Sequence, residues 1–438
     1  MVVIPSGQSA QSQDNSERRV AVLLMGYGEV ESYEDFANYN EQALNLLTAK
    51  FAPVPTWIYP SLAKLLAFFD VHEWGHQHGN FISPHNQIFE NQRAGIETAL
   101  QETWGDRVKV FKAFNFCAPF LPEQVLRQIH DEGFDQLLIY PLLVVDSIFT
   151  SGIALEQVNG ALGAIARETW ENADAGKVKR EEAIAESSPN GASPQKASAI
   201  QWPQAMRYIP SFYNEPSYIQ FLADMAEQAI QQDLAVAHLP SQIGIILMNH
   251  GCPHKAKGFT SGIVESQGLY EAVRLKLINR YPLISVGWLN HDTPLIEWTQ
   301  PHVELAAKNL IELGATAILM IPIGFVTENH ETLLDVDHII EAVRKRYPAV
   351  TYRHLPCAND HPTFLKMAAE WATPHIESLM NPQPVLGSLA ESETYHATVV
   401  YTPHSHGDEP VHAHGHGHSH DHNHGHHHHD HGNHSSHS

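Results

Sequence analysis

Short apolar runs alternate with longer mixed segments along the chain, and this alternation is typical of an α/β fold. Two of the apolar runs, Val20 to Gly28 and Ile243 to Gly251, end in glycine turns. Unbroken apolar runs of this length predict strands of a parallel sheet that helices cover on both faces. The pattern therefore indicates buried parallel strands rather than a sheet with one solvated face.

The two runs open two copies of one pattern. Residues 137–142 match 318–323, and residues 214–219 match 360–365, in the same order along each copy. Three matches in one order indicate a duplicated unit. We therefore predict an α/β protein made of two duplicated Rossmann-like domains, each with a parallel sheet flanked by helices, and a ligand cleft between them.

The first copy is longer than the second. Tyr27 and Pro141 stand 114 positions apart, whereas His250 and Pro322 stand 72 apart, so we place an insertion between residues 52 and 83. The predicted segments, in chain order, are a polar N-terminal tail at 1–19, a first α/β domain at 20–170, a polar insertion at 171–205, a helical segment joining the halves at 206–240, a second α/β domain at 241–375, a linker at 376–403 and a disordered His-rich tail at 404–438.

The composition excludes several classes of protein. With 438 residues, of which 43% are hydrophobic, the chain can form two cores of ordinary size. The formal net charge of -23 argues against nucleic acid as a partner. No apolar run has the length of a membrane span, and residues 1–19 lack the features of a signal peptide, so we expect a cytoplasmic protein. The cysteines Cys117, Cys252 and Cys357 suit a reducing compartment and are too few for a four-thiolate iron–sulfur cluster.

The segment 321–340 carries the strongest candidate chemistry. It is predicted as the end of a strand, a loop and a helix that begins near Glu331, which places Glu331, Asp335 and His338 on one helix face. His330 stands just before them, and Glu328 lies where a helix dipole favours a carboxylate. Open α/β sheets bind ligands at this end of their strands. The alternative is an ordinary solvated helix face.

Equivalent strand ends carry Tyr27 in the first copy and His250 in the second. If the copies pack around a pseudo-twofold axis, these two residues face each other across the cleft. The first-copy counterpart of the helix start at Glu331 contains Thr150 and Ser151, which supply hydroxyls but no carboxylate. One wall is thus predicted to hold an acid and a base, and the other a phenol and hydroxyls. The alternatives are a His250 that is merely a satisfied polar residue and a Tyr27 that caps a pocket.

Aromatic residues near the predicted cleft suit a flat hydrophobic ligand. They lie in the stretches 112–120 and 288–298, the second of which ends at Trp298. The stretch 59–69 is apolar enough to form a lip for such a ligand, or a peripheral contact with a membrane surface. The alternatives are ordinary core packing for the aromatic residues and a buried helix for 59–69.

The composition changes abruptly from Thr402 onward, where histidines alternate with Gly, Asp, Asn and Ser. Such a segment cannot bury a core, and imidazoles at this density bind Zn, Ni, Co or Cu, and Fe(II) less strongly. A purification tag is the alternative, but the interleaved residues are not typical of one. We predict a native metal-buffering tail whose main ligands are His412, His414, His416, His418, His420, His426, His427, His428 and His429.

A set of motifs between about Val20 and Ala372 resembles the ferrochelatase family, which inserts ferrous iron into a porphyrin in haem synthesis. Each motif is short, but their order along the chain is specific to the family. The similar segments are Met25-Gly-Tyr-Gly28, Ser83-Pro84 with Gln92 and Gly95, 119–125, Ser147-Ile-Phe-Thr-Ser-Gly152, Glu297-Trp298 with Pro301, and 324–333.

The resemblance implies a chelatase-like fold and assigns roles to residues of this chain. The strand-end histidine of the family falls on His250, as proton acceptor, and the helix-start glutamate on Glu331, as proton and metal relay. Asp335 and Tyr27 are then further metal ligands, Tyr27 from the opposite face. The weaker assignments, to relay or substrate binding, are Glu328, His330, His338, Ser147, Thr150, Ser151 and Trp298.

The implied substrates are Fe(II), with Co, Ni or Zn as alternatives, and protoporphyrin IX or coproporphyrin III, with no permanently bound cofactor. The chain departs from the family pattern at three places. The family's Asp-His-hydrophobic-Glu has become Glu328-Asn-His-Glu331, Ile339 replaces a second acid beside His338, and the catalytic histidine is followed by Gly251-Cys-Pro253. Two other functions therefore stay open: a cobalt or nickel chelatase acting on sirohydrochlorin or a related tetrapyrrole, and a metal-carrier protein without catalysis.

Overall fold

The computed structural model describes residues 18–48, 55–166, 202–253, 261–290 and 297–381. Its strands and main helices, in chain order, are β1 (Val20–Gly26), α1 (Phe36–Ala43), α2 (Tyr59–Val71), α3 (His85–Trp104), β2 (Val108–Phe114), α4 (Pro122–Asp131), β3 (Gln136–Pro141), α5 (153–166), β4 (Ala205–Tyr208), α6 (Pro216–Ala229), β5 (Ile243–His250), α7 (Ile263–Leu277), β6 (Leu283–Leu289), α8 (Val303–Glu312), β7 (Ala317–Ile321), α9 (Val336–Arg346), β8 (Thr351–His354) and α10 (Pro362–Met380).

The strands form two parallel four-stranded sheets of the same topology. The orders are β2-β1-β3-β4 and β6-β5-β7-β8, and every strand pair is parallel. The central strands β1 and β5 are buried along their whole length except for His250 at the end of β5. This confirms the predicted duplication and the Rossmann-like fold class.

In each sheet the next two strands along the chain lie on opposite sides of the central strand: β2 and β3 flank β1, and β6 and β7 flank β5. The order in which strands are added to the sheet therefore changes direction at the central strand. Such reversal points open a crevice at the carboxyl ends of the strands. Tyr27 and His250 stand at these two ends, as their equivalent sequence positions predict.

One hydrophobic core joins the two sheets. It contains Val22 and Leu24 of β1, Ile245 and Leu247 of β5, and Phe364 of α10, all of which are fully buried. The opposite face of each sheet packs on its own helices. Because interiors of this kind are close-packed, the shared core fixes the two strand ends relative to each other.

The predicted insertion at 52–83 contains helix α2, and α1 lies before it in the chain. The stretch 59–69 belongs to α2, where Tyr59, Ala63 and Ala67 form a buried stripe at helical spacing. The same helix exposes Phe68 and Phe69. It is therefore a helix with one packed face and one apolar face left in solvent. None of the described helices has the length and apolar character needed to cross a membrane.

Two elements lie outside the predicted domain ranges. Strand β4 completes the first sheet, although it falls where an insertion and a helical joining segment are predicted, and α10 continues past residue 375 to Met380. The short strand was missed because its four residues, Ala-Met-Arg-Tyr, carry no alternating pattern. Three predicted segments lie wholly or mostly outside the described residues. They are the polar N-terminal tail apart from residues 18 and 19, most of the polar insertion predicted at 171–205, and the His-rich tail with its nine candidate ligands.

Candidate active site in the cleft between the two sheets

A cavity of about 1420 Å³ opens between the two copies and is lined by residues of both. Its size exceeds the roughly 300–1,000 Å³ typical of sites for drug-sized ligands. The described residues that line it include no lysine or arginine. Six of the lining side chains are carboxylic acids: Glu29, Asp70, Glu73, Glu297, Glu304 and Asp335. Eight more are rings: Phe36, Tyr39, Trp74, Trp288, Trp298, His302, His330 and His338.

His250 and Glu331 form an ion pair between the end of β5 and the π-helical turn Glu331–Asp335, which runs on into α9. Their Nε2 and Oε1 atoms are 3.3 Å apart. The other ring nitrogen, Nδ1, lies 2.6 Å from the carbonyl oxygen of Gly251, to which it donates in the imidazolium form. That backbone bond fixes the ring so that Nε2 is the nitrogen that faces Glu331.

The charge of Glu331 controls the proton on His250. Burial of the imidazole opposes its charged form, but the neighbouring carboxylate outweighs this effect and raises the pKa of His250 well above its ordinary value. The pair therefore favours the protonated imidazole.

Tyr27 stands on the opposite side, at the end of β1, with its ring stacked on Phe116 at a centroid distance of 5.6 Å. Its hydroxyl donates to the carbonyl oxygen of Phe149. Burial raises its pKa far above the ordinary value, and the charges of Glu331 and Cys252 add to the rise. Tyr27 is therefore a neutral phenol that shares an electrostatic environment with Glu331.

Further acids and imidazoles extend the site from Glu331 into the cavity. Burial raises the pKa of Asp335 to about 6, although the charge of His330 opposes the rise. For His330, burial opposes protonation but Glu29 outweighs it and raises the pKa to about 9. His338 lies one turn along the helix and packs against His78 at a ring-centroid distance of 4.5 Å. The lining thus combines an acid with a pKa of about 6 and an imidazole with a pKa of about 9.

A sequence model of the ferrochelatase family matches residues 19–174 and 188–376, nearly the whole of the two-sheet body. The chain belongs to the ferrochelatase family. It is accordingly a tetrapyrrole metal chelatase, a lyase that inserts ferrous iron into a porphyrin in haem biosynthesis. The metal and the porphyrin are its substrates.

Two cyanobacterial ferrochelatases illustrate the likeness. That of Gloeothece citriformis is 27% identical over 359 residues, which cover 80% of this chain and 81% of the relative. That of a Synechocystis strain is 26% identical over 376 residues, which cover 83% of this chain and 84% of the relative.

Two solved structures align over most of the chain, with little sequence identity. The sirohydrochlorin chelatase SirB from Bacillus subtilis subspecies spizizenii, in complex with cobalt, has a TM-score of 0.42 and 9% identity, covering 83% of this chain and 97% of SirB. A multi-domain Deinococcus radiodurans protein with structural similarity to chelatases has a TM-score of 0.38 and 11% identity, covering 81% of this chain and 54% of that protein.

Some residues that the ferrochelatase resemblance singled out are not among those that line the cavity in this structure, and Tyr27, His250 and Glu331 are three of them. The carboxylate of Glu328 accepts a hydrogen bond from the backbone N–H of Cys357 at 2.9 Å, so it stabilises the loop behind the site. The hydroxyls of Ser147 and Thr150 are 3.0 Å apart and close a short turn, and Ser151 beside them is buried. These groups shape the first-copy wall.

Trp298 does line the cavity, and so do several residues that were not predicted from the sequence. Glu29 could have been found, because it follows Gly28 at the strand end that carries Tyr27. Asp70, Glu73 and Trp74 lie in the insertion at 52–83. This insertion has no counterpart in the second copy, so comparison of the two copies could not identify these residues. Within the described ranges, no three His, Cys, Asp or Glu side chains converge closely enough to hold a metal ion.

Proposed function

We propose that His250 accepts the pyrrole protons and that Glu331 relays protons and metal during insertion of Fe(II) into a porphyrin. The observation that carries this proposal is the 3.3 Å pair between His250 Nε2 and Glu331 Oε1 at the reversal point of the second sheet. A general base must lie within reach of the proton that it takes, and its partner must control its protonation. This pair meets the second requirement directly.

The acidic residues Asp335 and Glu331 indicate the order in which metal binding and proton transfer occur. A divalent cation is drawn toward Asp335 and Glu331, whose oxygen atoms bind Fe(II) without retaining it as thiolates would. When the cation reaches Glu331, it offsets the charge that holds the proton on His250, and that proton leaves to water. His250 is then a neutral imidazole that can take one pyrrole proton from the porphyrin, pass it to water, and take the second as the metal enters the ring.

Other residues of the two copies have further roles in binding the metal and the macrocycle. Tyr27 offers a phenol oxygen, a weak metal ligand, from the first-copy side, and His338 with Asp335 offers a path between the cavity and Glu331. The indole of Trp298 provides a flat apolar surface for the macrocycle. Fe(II) is the substrate proposed, and Co, Ni and Zn can follow the same route because the same N and O donors bind them.

We further propose protoporphyrin IX as the preferred macrocycle. The six carboxyl groups that line the cavity repel carboxylate-rich tetrapyrroles, and the described lining offers no lysine or arginine to pair with them. The second candidate is a cobalt or nickel chelatase acting on sirohydrochlorin. It is favoured by Ile339, which lines the cavity where the family carries a second acid, with His338 beside it.

Insertion assays distinguish these candidates. Fe(II), Co(II) and Ni(II) should each be supplied with protoporphyrin IX, coproporphyrin III and sirohydrochlorin, and the formation of metallated product followed by absorbance. We expect the highest kcat/KM for Fe(II) and protoporphyrin IX. Preference for cobalt or nickel with sirohydrochlorin would select the second candidate, and binding of metal without turnover on any macrocycle would indicate a carrier.

For the apolar face of the insertion we propose a peripheral membrane contact in a cytoplasmic protein. Trp57, Leu65, Phe68 and Phe69 are all more than half exposed on one short segment. The net charge of -23 disfavours anionic lipid, so binding should depend on apolar insertion. Cosedimentation with phosphatidylcholine vesicles should be lost in the Phe68→Ser, Phe69→Ser double variant, and equal binding by the variant would contradict the contact.

A further inference from the structure

Glu29 is a buried carboxylate held rigidly by the first copy. Its side chain is 8% exposed. Asn86, at the start of α3, fixes its backbone on both sides: the N–H of Glu29 donates to Asn86 Oδ1 at 2.9 Å, and Asn86 Nδ2 donates to the carbonyl oxygen of Glu29 at 2.7 Å. The thiol of Cys117 donates to the same carbonyl at 3.3 Å. The backbone of Glu29 is therefore held by the first copy.

That side chain crosses to the second copy and holds His330. The ring Nδ1–H of His330 donates to Glu29 Oε1 at 2.5 Å, and the backbone N–H of His330 reaches the two carboxylate oxygens at 3.3 and 3.4 Å. One carboxylate thus takes two donors from the residue that directly precedes Glu331. The His330 ring also packs against Trp74 of the insertion, with centroids 5.5 Å apart.

The loop that connects β7 to Glu331 is also held at its other end, next to β7. Gln92 of α3 donates to the carbonyl oxygens of Val326 and Asn359 at 3.0 Å each, and accepts from the hydroxyl of Thr327 at 2.8 Å. Glu29 therefore restrains the end of the loop next to Glu331, and Gln92 restrains the end next to β7. Loss of the Glu29 contact should loosen the end of the loop next to Glu331 without releasing the end next to β7.

We propose that Glu29 is a positioning residue that holds the helix start carrying Glu331 against His250 across the boundary between the two copies. The proposal rests on the function proposed above for Glu331. A buried carboxylate with two charge-assisted bonds is costly to remove and is oriented by both of them. Because Glu29 acts on Glu331 through His330 and the helix start, its loss should lower turnover much more than it changes the affinity for protoporphyrin IX.

The test compares Glu29→Gln and Glu29→Ala with the control Glu31→Gln. Glu31 is an exposed acid of the same loop whose carboxylate bonds only to Asn86 among the contacts described, at 3.1 Å. Replacement of a residue that orients a metal-binding side chain typically lowers metal affinity or activity by about 10–100-fold. We expect kcat to fall by about that factor in Glu29→Ala and less in Glu29→Gln, with a much smaller change in KM for protoporphyrin IX, and with circular dichroism showing that both variants are folded at the assay temperature. Wild-type kcat in a folded Glu29→Ala protein would overturn the proposal.

A double variant separates positioning from general loosening. If Glu29 acts through Glu331, Glu29→Ala should cost nothing further in a Glu331→Gln background, whereas independent losses would multiply and overturn the proposal. Glu331→Gln alone tests the underlying function. A normal rate in that variant removes the role of Glu331 itself. An impaired Glu331→Gln with a normal Glu29→Ala removes only the positioning role.

Discussion

Replacement of Glu331 by glutamine should lower the pKa of His250. The variant keeps the shape of the side chain but removes the charge 3.3 Å from His250 Nε2. At that distance an effective dielectric constant of about 20 gives a Coulomb energy of about 5 kcal/mol. The imidazole is 45% exposed, so solvent screening reduces the effect to roughly 1–3 kcal/mol. Removal of that interaction should therefore lower the pKa of His250 toward its ordinary value.

Titration of His250 by NMR measures this change, and the His250→Gln variant identifies its signal by difference. Since insertion requires a neutral imidazole, the acid limb of the pH–rate profile should move to lower pH in Glu331→Gln, by the same amount as the pKa. The overall rate should also fall by orders of magnitude, because the relay is lost. Glu31→Gln is the charge-matched control and should leave the titration unchanged. An unaltered His250 pKa in Glu331→Gln would refute the pairing.

Three further outcomes are expected. His250→Ala should abolish insertion while porphyrin still binds, as fluorescence quenching can measure; retained turnover would remove the base assignment. Gly28→Ala should destabilise the protein by roughly 2–4 kcal/mol in denaturant unfolding, because φ is 75° and a new Cβ would lie 2.6 Å from Phe114 Cβ; an unchanged midpoint would contradict this. Burial lowers the pKa of His354 to about 4, so protonation of the unfolded chain below 6.5 destabilises the native state as pH falls. Between pH 7 and 5, His354→Gln should therefore lose about 1–2 kcal/mol less than the wild type, and equal losses would refute it.

The features that the sequence could predict are those set by local pattern. An unbroken apolar run followed by glycine identifies a buried strand and its end, and the same run found twice identifies the duplication. From these alone, Tyr27 and His250 could be placed at the edges of two sheets. The helix start at Glu331 could also be predicted, since Asn329 offers a side-chain oxygen that accepts the Thr332 N–H at 3.0 Å.

The features that escaped prediction depend on contacts between distant segments. Glu29 and His330 are 301 positions apart, and neither residue type indicates that the other is its partner. Glu328 and Asp335 are both acids near one helix start, yet one bonds to Cys357 in the loop behind the site and the other lines the cavity. Local propensity gives no information on which way a loop carboxylate turns. That direction follows from packing between the two copies.

The two copies differ in chemistry although their frames agree. The turn Ile148–Gly152 and the turn Glu331–Asp335 are both π-helical, each has five residues, and each leads into a helix after the third strand of its copy. The first is closed by its own hydroxyls, with Ser147 Oγ accepting from the Phe149 N–H at 3.2 Å. The second is closed by its own Asn329 and Thr332, and the carboxylate of Glu29 from the other copy also bonds to His330 just before it. The backbone geometry is therefore common to both halves, and the acid–base pair proposed for metal insertion depends on side chains present in only one. A single chain with two similar halves can in this way place a base and its acid on one wall and leave the other wall to bind the flat face of the substrate.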